Sequence, residues 1–123
     1  MRFAAMLTLL IGGAISLASG ADLPPLGALE KDYPATIRPL LQKYCFECHS
    51  GATVEAEIDL GTHATAADAR KHLKAWIKVR SMLDSRQMPP KDAKQPTDAE
   101  RLQLQAWTRG FLSHGEFDPV APD

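Results

Sequence analysis

An all-α domain of three to four helices is what this 123-residue chain predicts, on three observations. Apolar residues recur at helical spacing in three separate stretches. Strict apolar and polar alternation is confined to one short piece, Glu55 to Leu60. A capping box, Thr97-Asp98-Ala99-Glu100, announces the last of the helices.

Asp22 to Leu29 contains Pro24, Pro25 and Gly27, so residues 22–32 read as an extended leader. Asp32-Tyr33-Pro34 then marks a helix entrance, with Ile37, Leu40, Leu41 and Tyr44 on one face. Pro39 is compatible with that helix if it starts near Thr36; otherwise the missing N–H kinks it. The helix delivers Cys45 to His49 at its C-terminal end, where Ser50-Gly51 breaks it. Glu55 to Leu60 alternates and predicts a short extended piece in a loop, with Ile58 and Leu60 turned inward.

Asp68 to Ser85 predicts one helix whose apolar face holds Leu73, Trp76, Ile77, Val79, Met82 and Leu83. Arg70, Lys71, Lys74, Lys78 and Arg80 occupy its other positions. Arg86 to Pro90 is held extended by two prolines. The final helix carries Leu102, Leu104, Ala106, Trp107, Phe111 and Leu112, with Trp107 and Phe111 one turn apart and expected to pack on the first helix. Residues 114–123 read as a flexible tail.

With 45% hydrophobic residues, the chain supports one small domain, of the size that often needs a staple. A formal net charge of −1 argues against a nucleic-acid binder, which normally carries a basic excess. At the N-terminus, Met1-Arg2 is followed by an uncharged, mostly apolar run from Phe3 to Leu17. Small residues Ala18-Ser19-Gly20-Ala21 follow, so residues 1–21 predict an export signal. An uncleaved anchor is the alternative, disfavoured because the run falls short of the roughly 18 to 20 residues that cross a bilayer. No membrane span is expected once the signal is removed.

Chemistry concentrates in Cys45-Phe46-Glu47-Cys48-His49. Two thiols three positions apart with an imidazole after the second form the attachment pattern of a c-type haem. One helical turn presents both sulfurs to the two vinyl groups on one porphyrin edge, and His49 then supplies the proximal iron ligand. The ring nitrogen of His49 that does not bind iron must donate to a nearby carbonyl. A bare Cys-x-x-Cys also suits a dithiol redox pair or half of a zinc site. The first should follow a strand in a βαβ setting, and the second needs four nitrogen or sulfur ligands. Outside the motif only His63, His72 and His114 remain, and no further Cys.

A six-coordinate haem needs a second axial donor, and a thioether is the usual partner of His. Met82 lies on an apolar helix face, where core filling is its ordinary role. Met88 lies beyond that helix in the proline-stiffened stretch Gln87-Met88-Pro89-Pro90 and is the candidate, with His63 and His72 as rivals.

Taken in order, Ile37-Arg38-Pro39-Leu40-Leu41, Cys45 to His49, Ile58-Asp59-Leu60, Trp76, Gln87-Met88-Pro89-Pro90-Lys91-Asp92 and Trp107 resemble the planctomycete-type cytochrome c domain over residues 33–113. The resemblance implies a cytochrome c-like fold around one covalent haem c, bound by Cys45 and Cys48, with His49 and Met88 on the iron. It implies an electron carrier and not an enzyme. A haem sensor or weak peroxidase with a labile distal ligand is the alternative, as is the first module of a larger protein. Arg70 to Lys94 holds eight basic residues against Asp84 and Asp92, which predicts a docking face for an acidic redox partner.

Overall fold

The structure, a computed structural model, describes residues 23–115. The expected export signal at 1–21 lies outside them, as does the tail beyond Gly115. The described residues form the all-α architecture that the sequence predicts, with strand geometry limited to Thr53–Val54 and its bridge to His49.

The first helical run is longer than expected. Helix α1 (Leu26–Asp32) passes through a π-helical turn (Tyr33–Ile37) into α2 (Arg38–Tyr44). The supposed extended leader is therefore helical from Leu26, because Leu29 is buried and its carbonyl accepts the Trp107 indole N–H at 3.0 Å. That tertiary contact overrides the local Pro and Gly signals. The π turn answers the question raised by Pro39. A proline cannot donate to the carbonyl four residues back and its ring crowds it, so the chain widens by one residue per turn and Arg38 N–H reaches Tyr33 O.

After Cys45, α3 (Phe46–His49) makes a single turn and ends at Ser50, whose backbone is extended. Gly51 follows at φ 69°, the left-handed region that glycine enters at no steric cost. The predicted extended piece is instead a tight turn at Glu55–Glu57, with Ala56 at φ 53° and Glu57 at φ 58°. Its inward residues are as expected: Leu60 is buried and Ile58 packs against the core. A 3₁₀ turn (Leu60–Thr62) leads on to α4 (Ala66–Arg70).

The single helix expected over Asp68 to Ser85 is two. Thr65 and Asp68 form a capping box that starts α4 early, and the chain turns at His72 (φ −128°, ψ 42°) before α5 (Leu73–Asp84). Trp76 and Leu83 are buried on α5, but Ile77, assigned to the apolar face, is 56% exposed. Arg86 ends α5 at φ 57°. Gln87 N–H reaches Met82 O at 3.0 Å and Arg86 N–H reaches Leu83 O at 3.2 Å, the paired bonds of a Schellman ending.

Helix α6 (Asp98–Gly115) packs on α5 and α1. Its capping box is present as predicted, with Thr97 N–H donating to Glu100 Oε2 at 2.8 Å and Glu100 N–H to Thr97 Oγ1 at 3.2 Å. The helix runs through His114 and Gly115, two residues into the expected tail, and the His114 Nε2–H donates to Pro24 O at 2.8 Å. Trp107 stacks on Phe111 at 4.6 Å and lies 5.1 Å from Tyr33, while Trp76 meets both Trp107 and Phe111 edge-on. Such pairs are worth about 0.5–1.5 kcal/mol each beyond burial, so this cluster holds the π-helical turn, α5 and α6 together with an energy comparable to the margin of a small domain.

Candidate functional site

Cys45, Cys48 and His49 occupy one turn. Cys45 breaks away from α2 with φ −123°, and its carbonyl accepts from Cys48 N–H at 3.2 Å and His49 N–H at 2.9 Å. Ser50 Oγ donates to Phe46 O at 2.8 Å, closing the turn from below. Both cysteines are free thiols, Cys48 exposed and Cys45 half-buried. Burial pushes the Cys45 thiol up to about 11, against the opposing pull of the Arg101 charge.

His49 Nδ1 lies 3.2 Å from the carbonyl oxygen of Ile58 and donates to it. This bond orients the ring with Nδ1 toward the loop and turns Nε2 away from it, as an iron ligand needs. The loop after the motif exists to make this contact. The 3₁₀ turn at Leu60–Thr62 packs on α3, and Gly61 sits so close to Ser50 that a Cβ would come within 2.6 Å of the serine Cβ.

Met88 is placed beyond α5, as its sequence position predicts, with its side chain 37% exposed. Its N–H donates to Met82 O at 3.3 Å and its carbonyl accepts from Arg101 Nη1 at 2.9 Å. The rival donors pack on each other. His63 is buried and stacks on His72 at 4.7 Å, against Trp76. Burial and the neighbouring His72 hold the His63 pKa below its ordinary value. Among the described residues, no three His, Cys, Asp or Glu side chains gather as a metal site of the zinc kind.

Sequence reasoning missed Arg101 and Gln95. Arg101 is 3% exposed and binds Gln95 Oε1 through Nη2 at 3.0 Å as well as Met88 O. A signal was present: Arg101, Leu104, Thr108, Phe111 and Gly115 recur at helical spacing, and all are buried. Leu102, one of the apolar residues expected in this helix, is exposed.

The donor set fits a c-type haem. Two reduced thiols on one turn would take the thioether bonds, and the oriented imidazole of His49 would take the iron. Residues 45–92 match the family model described as Planctomycete cytochrome C. Neither curated proteins nor solved structures gave a match. The motif, the loop that orients His49 and the Met88 stretch thus fall within one match, to the planctomycete cytochrome c family, and a haem-binding electron-transfer domain is what that match denotes.

Proposed function

We propose that this chain is an exported c-type cytochrome that binds one haem c through Cys45 and Cys48. His49 and Met88 would be its axial ligands, and its role is to carry single electrons between redox partners. The hydrogen bond from His49 Nδ1 to Ile58 O, on the same turn as both thiols, carries most of the weight. When bound, the haem supplies a one-electron Fe(III)/Fe(II) couple. The protein's part is to hold and to exclude. Cys45 and Cys48 would hold the porphyrin edge, and the Ile58 carbonyl orients His49, while the Ile58 and Leu60 side chains pack in the core beneath that loop. Were His49 and Met88 both to hold the iron, no place would be left on it for a substrate, and one-electron exchange is the chemistry the group would supply.

The test is expression in a cell that has haem-attachment machinery. The protein should be red, and the colour should stay with the polypeptide through acidic organic extraction; a colourless or extractable product overturns the assignment. In Met88→Ala the weak sulfur-to-iron charge-transfer band should vanish and the potential should fall. The second reading is a haem sensor or weak peroxidase whose distal ligand leaves readily. Fast carbon monoxide binding to the reduced protein would select it, whereas sluggish binding selects the carrier.

A further inference from the structure

Arg101 places a permanent charge inside the domain, which costs free energy unless its donors are met. Two of them are met by the Met88 stretch. Nη1 donates to Met88 O at 2.9 Å and Nη2 to Gln95 Oε1 at 3.0 Å. The Gln95 amide nitrogen is then shared among the carbonyls of Pro89 at 3.2 Å, Pro90 at 2.7 Å and Ala93 at 3.2 Å. Pro89 and Pro90 have no N–H, and beside the one backbone bond from Ala93 N–H to Pro90 O at 2.9 Å it is side-chain donors that hold this segment's shape.

The residue before Arg101 grips the opposite flank. Glu100 accepts from Tyr44 Oη at 2.7 Å and from Lys43 Nζ at 3.0 Å, at the end of α2 and next to Cys45. Two consecutive residues of α6 therefore tie the Met88 stretch to the helix that carries the first thiol.

We infer that Arg101 is a positioning residue: with Gln95 it sets the Met88 thioether at a fixed height relative to the Cys45 turn, so that iron keeps sulfur in preference to an incoming ligand. This rests on Met88 being the distal ligand. A preorganised weak ligand resists displacement because little conformational freedom is lost when it binds.

The test uses the haem-loaded full chain and imidazole as the competing ligand. Arg101→Met keeps the length of the side chain without its donors. It should weaken the charge-transfer band and tighten imidazole binding by about tenfold or more. Hydrogen exchange at 88–95 should speed up, and Arg101→Lys, which retains one donor, should recover part of each change. Gln95→Leu removes the relay and the acceptor of Nη2 but leaves Nη1 on Met88 O, and serves where Arg101→Met fails to fold; it should shift imidazole affinity in the same direction. Unchanged imidazole affinity in folded Arg101→Met or in Gln95→Leu overturns the inference. A Met88→Ala variant with an intact charge-transfer band overturns the ligand assignment instead, which separates the two failures.

Discussion

His63 shows what burial does to a single side chain here. It is 3% exposed, its Nδ1 has no hydrogen-bond partner, and its ring lies between His72 and Trp76. Desolvation lowers its pKa from 6.5 and the nearby His72 adds to this, while Asp59 and Asp68 oppose. A histidine with a lowered folded pKa contributes stability that is whole above the unfolded value. That contribution is lost as the pH falls below 6.5 toward the folded pKa, because the unfolded chain takes up a proton that the folded chain refuses. Denaturant midpoints should therefore drop between about pH 7.5 and about pH 5.5, and His63→Phe should drop less over the same interval. Equal drops in both proteins would dismiss His63 as the source. None of this was readable from the sequence, where His63 is one more polar residue in a loop. Arg101 was readable in principle, since it keeps helical register with Leu104, Thr108 and Phe111, yet its charge argued for the surface. Charge governs the average arginine, whereas helical register governs one whose guanidinium finds acceptors inside, as Arg101 does on Met88 O and Gln95 Oε1.

At the scale of elements, the two glycines Gly27 and Gly61 separate what packing decides from what local propensity decides. Gly61 has Ser50 Cβ at 2.6 Å from an added Cβ, so Gly61→Ala must push the 3₁₀ turn off α3 and with it the carbonyl that orients His49. Urea denaturation should show a loss of about 1–3 kcal/mol, the usual cost of overpacking. Gly27 lies within α1 with nothing within 4 Å of the added atom. Gly27→Ala should gain roughly 0.5–1 kcal/mol, the propensity difference alone. The opposite ordering would mean that the loop is not packed on the motif. The same division explains which elements the sequence disclosed. The last helix was legible because the Thr97 and Glu100 box is a local signal that structure did not need to override. Helix α1 was hidden because its justification is distant: Leu29 is buried and capped by Trp107, 78 residues away. The break at His72 was hidden because apolar periodicity continues across it, and the Thr65 box that starts α4 precedes the stretch where the pattern becomes visible.

Across the whole molecule, the charge that the sequence gathers between Arg70 and Lys94 is thinned by structure. Lys71 pairs with Asp68 at 3.0 Å, Arg80 with Asp84 at 3.5 Å and Arg86 with Asp98 at 3.3 Å. Arg70 lies over the Phe111 ring at 5.5 Å. Lys74 and Lys78, one turn apart and exposed on α5, have no ion pair among the described residues, and neither does Lys91. They remain as the centre of any docking field for an acidic partner. The formal net charge of −1 makes the question decidable, because net charge and local patch predict opposite salt effects on exchange with an anion. If the molecule acts as a weak overall anion, electron exchange with ferricyanide should be insensitive to salt or quicken with it. If the α5 lysines steer the anion to the haem edge, the rate should fall several-fold between about 10 mM and about 200 mM salt, as screening shortens to about a nanometre. The double variant Lys74→Glu with Lys78→Glu should flatten that dependence and leave the charge-transfer band untouched, since neither lysine bonds to the Met88 stretch among the described contacts. A wild-type rate that does not respond to salt removes α5 as the docking face and leaves the acidic partner without a place to bind.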